Sequence, residues 1–199
     1  MEQRVAAALA RNDRFLVEIV EGWSLCPYAR TTRLSEQLGR EVLLEAPTPA
    51  EVAVCASRWE RHSAQIVLVI LPDFAGDARA FERYTDECRK LAPAAFAIAP
   101  FHPETAFHTD TPSRLVGLFR RAPDPTLQLV RFSALDAVRK RAPGGKFFFD
   151  GSATSWDQLK ERPERGLSEQ IAHDNWERIH ERTEALAKLL AALREDRIS

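Results

Sequence analysis

The sequence predicts a single α/β domain over residues 1–199, with a mostly parallel four-stranded sheet, crossover helices, and long N- and C-terminal helices. Three observations support this prediction. Apolar runs of strand length alternate with segments of helical periodicity. The connections between them are short, as in β-α-β units. With 45% apolar residues, a chain of this length can bury one good core, and we find no internal repeat or linker.

The composition narrows the class of protein. Basic and acidic residues balance to a formal net charge of −1, which argues against bulk affinity for nucleic acid or an anionic membrane. No apolar run approaches the ~20 residues of a membrane span, and the N-terminus has no signal-peptide core. Three widely spaced cysteines do not make a disulfide framework. We therefore expect a cytoplasmic protein with free thiols.

The N-terminal part begins with a long helix. Apolar residues at helical spacing predict it over residues 4–22. The segment 23–30 (WSLCPYAR) is a compact turn, too rich in aromatic and apolar groups for a solvated linker. Residues 31–40 are predicted to form a polar loop.

The central part alternates strands with helices. A capping box at Thr48–Glu51 starts a helix that continues to about residue 62, and a second helix is predicted at about 77–91. One strand, IVLVIL, has no polar alternation, as expected when both faces of a sheet are covered. The four predicted strands are Glu41–Ala46, Ile66–Leu71, Phe96–Phe101 and Thr126–Arg131.

The C-terminal part is predicted to contain a short helix from Ser133 to about Arg141, and then a loop insertion at 142–167 with a small extra strand at Lys146–Asp150. The run Phe147–Phe149 cannot face water without marking a contact surface. We expect it to pack on the domain or on the partner chain of a homodimer, with a lid over the site as the alternative. A last helix is predicted over 168–194.

Polar groups follow the predicted strands. If the strands are parallel, Asp73, His102 and Arg131 all emerge at the carboxyl edge of one sheet, where open α/β folds build ligand sites. Each residue also has an ordinary structural explanation: Asp73 as a turn or cap, His102 as a loop hydrogen bond, and Arg131 as an ion-pair partner.

Cys26 differs from the other cysteines. Cys55 and Cys88 lie on apolar helix faces, where a thiol acts as a small hydrophobe. Cys26 lies in a turn close to Arg30 and Arg33, and nearby positive charge lowers a thiol pKa and favours the reactive thiolate. The alternative is a cysteine buried under the aromatic residues of its own turn.

Two arginines are presented by a proline-rich segment. The prolines after Arg120 and Arg121 hold the backbone extended. With Arg131, these arginines could bind a carboxylate or phosphate bidentately, and a solvated basic pair is the alternative. Asn175 falls on the apolar stripe of the last helix, where a buried amide must be paired.

A metal site is a weaker alternative. His102 and His108, with Glu104 or Asp110, could supply ligands of zinc or iron type. The spacing of the two histidines in a proline-containing loop is a weak pattern. The sequence therefore assigns no cofactor.

Three separated motifs resemble those of the bacterial DUF1415 family, whose name denotes unknown function. They are the turn at Trp23–Ala29, the strand end Phe101–Pro103, and the segment from Arg121 to Arg131. The family pattern reads LCPFA, FHP and NRSPYPTLHLLR, and the match covers most of residues 15–140 in the same order. The resemblance implies site positions but no reaction.

The chain departs from that pattern at three positions. Arg120 stands where the pattern has asparagine, Asp124 replaces tyrosine, and Gln128 replaces histidine. The resemblance further implies that Asn175 corresponds to an asparagine of the family's final helix.

We therefore hypothesise an enzyme acting on a small anionic metabolite. Cys26 would be the nucleophile or redox thiol and His102 its acid–base partner. Two alternatives remain: a metal- or haem-dependent enzyme using His102, and a non-catalytic ligand-binding or scaffold protein. The predicted substrate-binding residues are Arg30, Asp73, Arg120, Arg121, Arg131 and Asn175.

Overall fold

The computed structural model describes residues 1–141 and 167–195. Four strands form a single sheet in the order β1-β2-β4-β3. The strands are β1 (Leu38–Val42), β2 (Ile66–Ile70), β3 (Phe96–Phe101) and β4 (Thr126–Arg131). The predicted α/β class is confirmed. The predictions for residues 142–166, including the strand at Lys146–Asp150 and the packing of Phe147–Phe149, concern residues outside the described part of the chain.

The sheet is mixed, so the prediction of a mostly parallel sheet is wrong. β1 and β2 are parallel, whereas β4 is antiparallel to both β2 and β3. Phe101, at the end of β3, pairs with Thr126, at the start of β4. The connection between these strands therefore begins and ends at one edge of the sheet, and β4 must run back in the opposite direction.

Eight α-helices lie in the described part of the chain. The predicted first helix is an α-helix continued by a π-helical segment over Phe15–Glu21, and the predicted last helix is divided by a 3₁₀ turn over His180–Arg182. No helix in the described residues is long and apolar enough to cross a membrane. The α-helices are α1 (Glu2–Arg14), α2 (Ala29–Leu34), α3 (Pro49–Glu60), α4 (Ala78–Leu91), α5 (Pro112–Phe119), α6 (Phe132–Arg141), α7 (Leu167–Ile179) and α8 (Thr183–Glu195).

Two segments differ from the sequence prediction. Residues 31–40, predicted as a loop, contain the end of α2 and the start of β1. The strand predicted at Glu41–Ala46 begins earlier, at Leu38, and ends at Val42. The capping box at Thr48 is present, because its side chain accepts from the N–H of Glu51 and the glutamate accepts from the N–H of Thr48.

The core lies on both faces of the sheet. Helices α3 and α4 cover one face, where alternate residues such as Val67 and Val69 of β2 are fully buried. On the other face, Leu68 and Ile70 pack against α1. The unbroken apolar run of β2 is thus covered on both sides, as its sequence predicts. A further cluster joins the π-helical segment, α5, α7 and α8; its fully buried members include Ile19, Leu115, Leu118, Ile179, Leu186 and Leu193.

Candidate functional site at the carboxyl edge of the sheet

Loops from several elements meet at one edge of the sheet. β1, β2 and β3 end at this edge and β4 begins there, because Thr126 pairs with both Ile70 and Phe101. Asp73 and His102 follow β2 and β3, and Asp124 precedes β4. The mixed sheet therefore brings Asp73 and His102 to the predicted edge.

Arg131 lies at the opposite end of the sheet, so the predicted grouping of Arg131 with Asp73 and His102 is wrong. β4 runs antiparallel to its neighbours, and its last residue is therefore far from its first. The guanidinium packs over the ring of Phe96. It donates to four backbone carbonyls at and after the end of α3, those of Trp59, Glu60, His62 and Ala64, at 2.6–2.9 Å.

His102 is held by backbone groups on both ring nitrogens. The side chain is only 4% exposed. Nδ1 accepts from the N–H of Glu104 at 3.2 Å, so Nε2 carries the proton and donates to the carbonyl of Gly76 at 3.1 Å. The ring packs against Phe74 and Phe81 on the α4 side of the sheet. This arrangement fixes one neutral tautomer and joins two loops.

Asp73 organises the loop after β1. Its carboxylate accepts from the guanidinium of Arg4 and, at 2.8 Å, from the backbone N–H of Glu45. Glu45 and Ala46 both have positive φ angles, 64° and 48°, which residues other than glycine rarely adopt. Asp73 thus stabilises a strained turn and attaches α1 to the edge.

Asp124 is a buried carboxylate that sequence reasoning did not select. It is 1% exposed. Arg11 of α1 reaches it with two parallel hydrogen bonds, Nε to Oδ2 at 2.9 Å and Nη2 to Oδ1 at 3.1 Å. The one sequence signal was an aspartate at a position where the DUF1415 pattern has tyrosine.

The environment of Cys26 does not lower the pKa of its thiol. Burial raises that pKa, and the backbone N–H groups of Tyr28 and Ala29 oppose the rise only in part. Arg33 pairs instead with Glu21, with Nε 2.6 Å from Oε1. No arginine is among the causes of the pKa shift of Cys26, so the expected lowering by Arg30 or Arg33 is not found here. The role of Cys26 in a site stays a prediction.

Asn175 fixes the turn that contains Cys26. Its Nδ2 donates to the carbonyl of Leu25 at 3.0 Å, and its Oδ1 accepts from Arg178 at 2.7 Å. Arg178 also donates to the carbonyl of Ser24, whose φ is 52°. Asn175 thus serves the local structure, and Arg30 lies exposed nearby on α2.

Cys26 and His102 belong to different parts of the core. The turn with Cys26 is held by α7 in the cluster that also contains Phe101. His102 packs on the rings of Phe74 and Phe81 in the cluster of α3 and α4. Phe101 therefore packs in the cluster that contains Leu25 of the Cys26 turn, whereas His102 packs against the cluster of α3 and α4.

The side chain of Arg121 is held in place, and part of its guanidinium has no hydrogen-bond partner among the described residues. Nε donates to the carbonyl of Thr105 at 2.8 Å, and the guanidinium carbon lies 4.7 Å above the ring centre of Phe107. Within residues 1–141 and 167–195, its two terminal amino groups make no hydrogen bond. Burial, followed by the positive charge of Arg194, lowers the pKa of Arg121.

The neighbouring Arg120 lies near α4, whereas Arg121 lies near α8. The residue as a whole is exposed, but its guanidinium is partly desolvated by surrounding protein atoms. This desolvation, followed by the positive charge of Arg89 on α4, lowers the pKa of Arg120. Arg120 and Arg121 therefore do not form one clamp, because their charged neighbours lie on different helices.

The loop that supports Arg121 is closely packed. A Cβ atom added at Gly117 of α5 would lie 1.9 Å from the carbonyl oxygen of Ala106, so only glycine fits there. Trp176 of α7 donates through Nε1 to the carbonyl of Thr109 at 3.0 Å. The segment after His102 is thus held by two helices.

The described residues contain no group of three or more histidine, cysteine, aspartate or glutamate side chains that could hold a metal ion. His108 is exposed, and both nitrogens of His102 face backbone groups.

Comparison with known proteins identifies a family. A family model described as "Protein of unknown function (DUF1415)" matches residues 7–148, more than half of the chain. The chain belongs to the DUF1415 family. No curated protein and no solved structure matches it. The family suggested by the three motifs is confirmed, and its description assigns no activity.

In this DUF1415 protein, the matched range includes His102, Arg121 and Asp124. It ends before α7 and α8, so Asn175 and Arg194 lie outside it. The correspondence of Asn175 with a family asparagine stays a prediction.

Proposed function

We propose that this DUF1415 protein acts on a small anionic metabolite that it binds at the carboxyl edge of the sheet, with Arg121 receiving the acidic group. The observation that carries the proposal is the fixed, partly unoccupied guanidinium of Arg121. Thr105 takes its Nε and Phe107 covers its face. The two terminal amino groups, which make no hydrogen bond within residues 1–141 and 167–195, can bind a ligand.

The energetics favour an anion at this position. A half-buried cation has lost part of its hydration, and the lowered pKa of Arg121 reflects that loss. A carboxylate or phosphate that accepts two parallel hydrogen bonds restores what the guanidinium lacks. Because the side chain is already fixed, little rotamer entropy is lost on binding.

Titration calorimetry at low ionic strength tests the proposal, with phosphate, pyrophosphate, succinate and citrate as probes. Hydrogen bonds to charged groups contribute about 1.5–3 kcal/mol, so Arg121→Gln should weaken binding by about 10- to 100-fold. Arg121→Lys should retain part of the affinity, because it keeps the charge and loses the planar fork.

Arg61→Gln is the matched control. Arg61 is an exposed arginine just beyond α3, at the end of the sheet where Arg131 lies. Its replacement removes the same charge and should leave the affinity unchanged. Absence of binding by every probe, or equal weakening by Arg61→Gln and Arg121→Gln, would contradict the proposal.

A second candidate is an enzyme that uses the Cys26 thiol. One feature favours it: Cys26 is partly exposed, whereas Cys55 and Cys88 are buried. Native-state alkylation by iodoacetamide should modify Cys26 before the buried Cys55 and Cys88. Because the pKa of Cys26 is raised, its rate at pH 7 should be below that of free cysteine and should increase with pH. Equal reaction of all three thiols would exclude this candidate.

In this second candidate, Cys26 works without His102, which packs on the other side of the sheet. We also propose a cytoplasmic location, because all three cysteines are free in the structure.

A further inference from the structure

Two arginines from distant parts of the chain reach consecutive residues of one loop. Arg121 donates through Nε to the carbonyl of Thr105 at 2.8 Å. Arg194 of α8 donates through Nη2 to Oε1 of Glu104 at 2.6 Å. Because Glu104 and Thr105 are adjacent, both guanidinium groups lie at the same part of the loop. The lowering of the pKa of Arg121 by the charge of Arg194 agrees with this placement.

The partner of Arg194 is a weakly held carboxylate. The side chains of Arg194 and Glu104 are 41% and 45% exposed. Ion pairs this exposed contribute little stability, because water and salt screen them. Glu104 also presents the same chemical group as a carboxylate ligand, so an incoming anion competes with it directly for Arg194.

We propose that Arg194 and Arg121 together clamp the acidic group of the ligand, and that Glu104 occupies Arg194 until an anion displaces it. This inference rests on the proposed function and adds a second cation to the same site. The ligand chemistry is a carboxylate or a phosphoryl group with at least two oxygens that accept N–H bonds. Glu104 then sets a threshold: an anion must outcompete a local carboxylate to engage both arginines.

The test compares Glu104→Gln, Arg194→Gln and the double variant, with pyrophosphate and succinate as separate calorimetric probes. Glu104→Gln removes the competitor and should tighten binding by about threefold. Arg194→Gln removes one arm of the clamp and should weaken binding by about tenfold. In the Arg194→Gln background, Glu104→Gln should tighten binding less than it does in the wild type, because only the effect of its charge on Arg121 remains.

Two further variants test whether the loss of any positive charge from α8 would weaken binding in the same way. Lys188→Gln removes an exposed positive charge from the same helix and should leave affinity unchanged. Arg194→Lys keeps the charge without the fork and should bind with intermediate affinity. An unchanged thermal unfolding curve for Arg194→Gln confirms that α8 is still folded.

The outcomes separate the two proposals. If Arg121→Gln weakens binding while the Glu104 and Arg194 variants behave like wild type, the clamp is overturned and the proposed function stands. If neither probe binds, or Arg121→Gln has no effect, both fall. A preference for pyrophosphate over succinate identifies a phosphoryl ligand, and the reverse identifies a carboxylate; either supports the clamp if the double-variant pattern holds.

Discussion

Removal of Arg11 should destabilise the fold far more than removal of a surface arginine, because Arg11 neutralises a buried carboxylate. The side chains of Asp124 and Arg11 are only 2% and 13% exposed, and two hydrogen bonds join them. Arg11→Met keeps the apolar stem and leaves Asp124 without its arginine. Breaking a buried pair in this way costs about 3–5 kcal/mol.

Urea unfolding followed by circular dichroism measures this loss. The unfolding midpoint should fall while the slope stays unchanged, because the surface exposed on unfolding is the same. For a chain of this size each kcal/mol shifts the melting temperature by about 2–4 °C, so a drop on the order of 10 °C is expected. Arg14→Met is the control, since Arg14 pairs with Glu18 at the surface, where ion pairs contribute about 0–1 kcal/mol.

The double variant Arg11→Met/Asp124→Leu isolates the cause. Replacing both charges by apolar groups removes the buried carboxylate that has lost its arginine and should recover most of the lost stability. Equal losses in Arg11→Met and Arg14→Met would refute the reasoning, as would a double variant no more stable than Arg11→Met alone.

Four shorter predictions follow from other parts of the structure. Arg131→Met should lower stability by about 2–4 kcal/mol, because four carbonyls at the end of α3 lose their donor; anion affinity should not change, and a large loss of affinity would return Arg131 to the site. Gly117→Ala should lower stability by about 1–3 kcal/mol through the clash with a loop carbonyl, and an unchanged melting temperature would contradict that close contact. Asn12→Leu should raise stability by about 1 kcal/mol, because the buried Oδ1 has no hydrogen-bond partner among the described residues; a loss of stability would indicate a hidden partner. Burial raises the pKa of Cys55 to about 12 and that of Cys88 to about 11. Between about pH 8 and 10.5 the native state therefore keeps thiol protons that the unfolded chain, with a thiol pKa of about 8.5, releases. The urea midpoint should fall as the pH rises through this range. Replacing both cysteines by alanine should make the urea midpoint less dependent on pH.

The local structure was predictable where short-range signals are strong. The strands Phe96–Phe101 and Thr126–Arg131 were predicted with their observed bounds, because each is apolar and follows a proline-containing turn. The start of α3 was predicted from Thr48 and Glu51, which form the cap within one turn of helix. In each case the determining contacts lie within a few residues.

The direction of β4 was not predictable, because strand order depends on contacts between distant residues. A β-α-β pattern is normal for parallel strands. Here the connection contains only the short helix α5, and it returns to the edge where β3 ends. This one difference moved Arg131 from the predicted site to the opposite end of the sheet.

The same limit explains the site residues that sequence reasoning missed. Arg11 and Asp124 are 113 residues apart, and Glu104 and Arg194 are 90 apart. Nothing local in the sequence marks such pairs, since each arginine lies on a helix with many other charges. The sequence did select Arg121, because the prolines beside it limit its backbone.

The buried polar residues at the carboxyl edge, His102 and Asp124, help to fix the backbone of the segment that carries Arg121. The backbone N–H of His102 donates to the carbonyl of Arg120 at 2.9 Å, and the side chain of Asp124 binds α1 just beyond Arg121. At the far end of the segment, the carbonyl of Pro125 accepts from the N–H of Leu71, just after β2, at 2.8 Å. A guanidinium that must meet an anion with two parallel hydrogen bonds needs a fixed backbone, because small displacements break the fork geometry. Under the proposal that Arg121 binds an anion, the FHP and proline-rich motifs of the family pattern act together to position one arginine, and the His102 ring contributes by holding its loop in place.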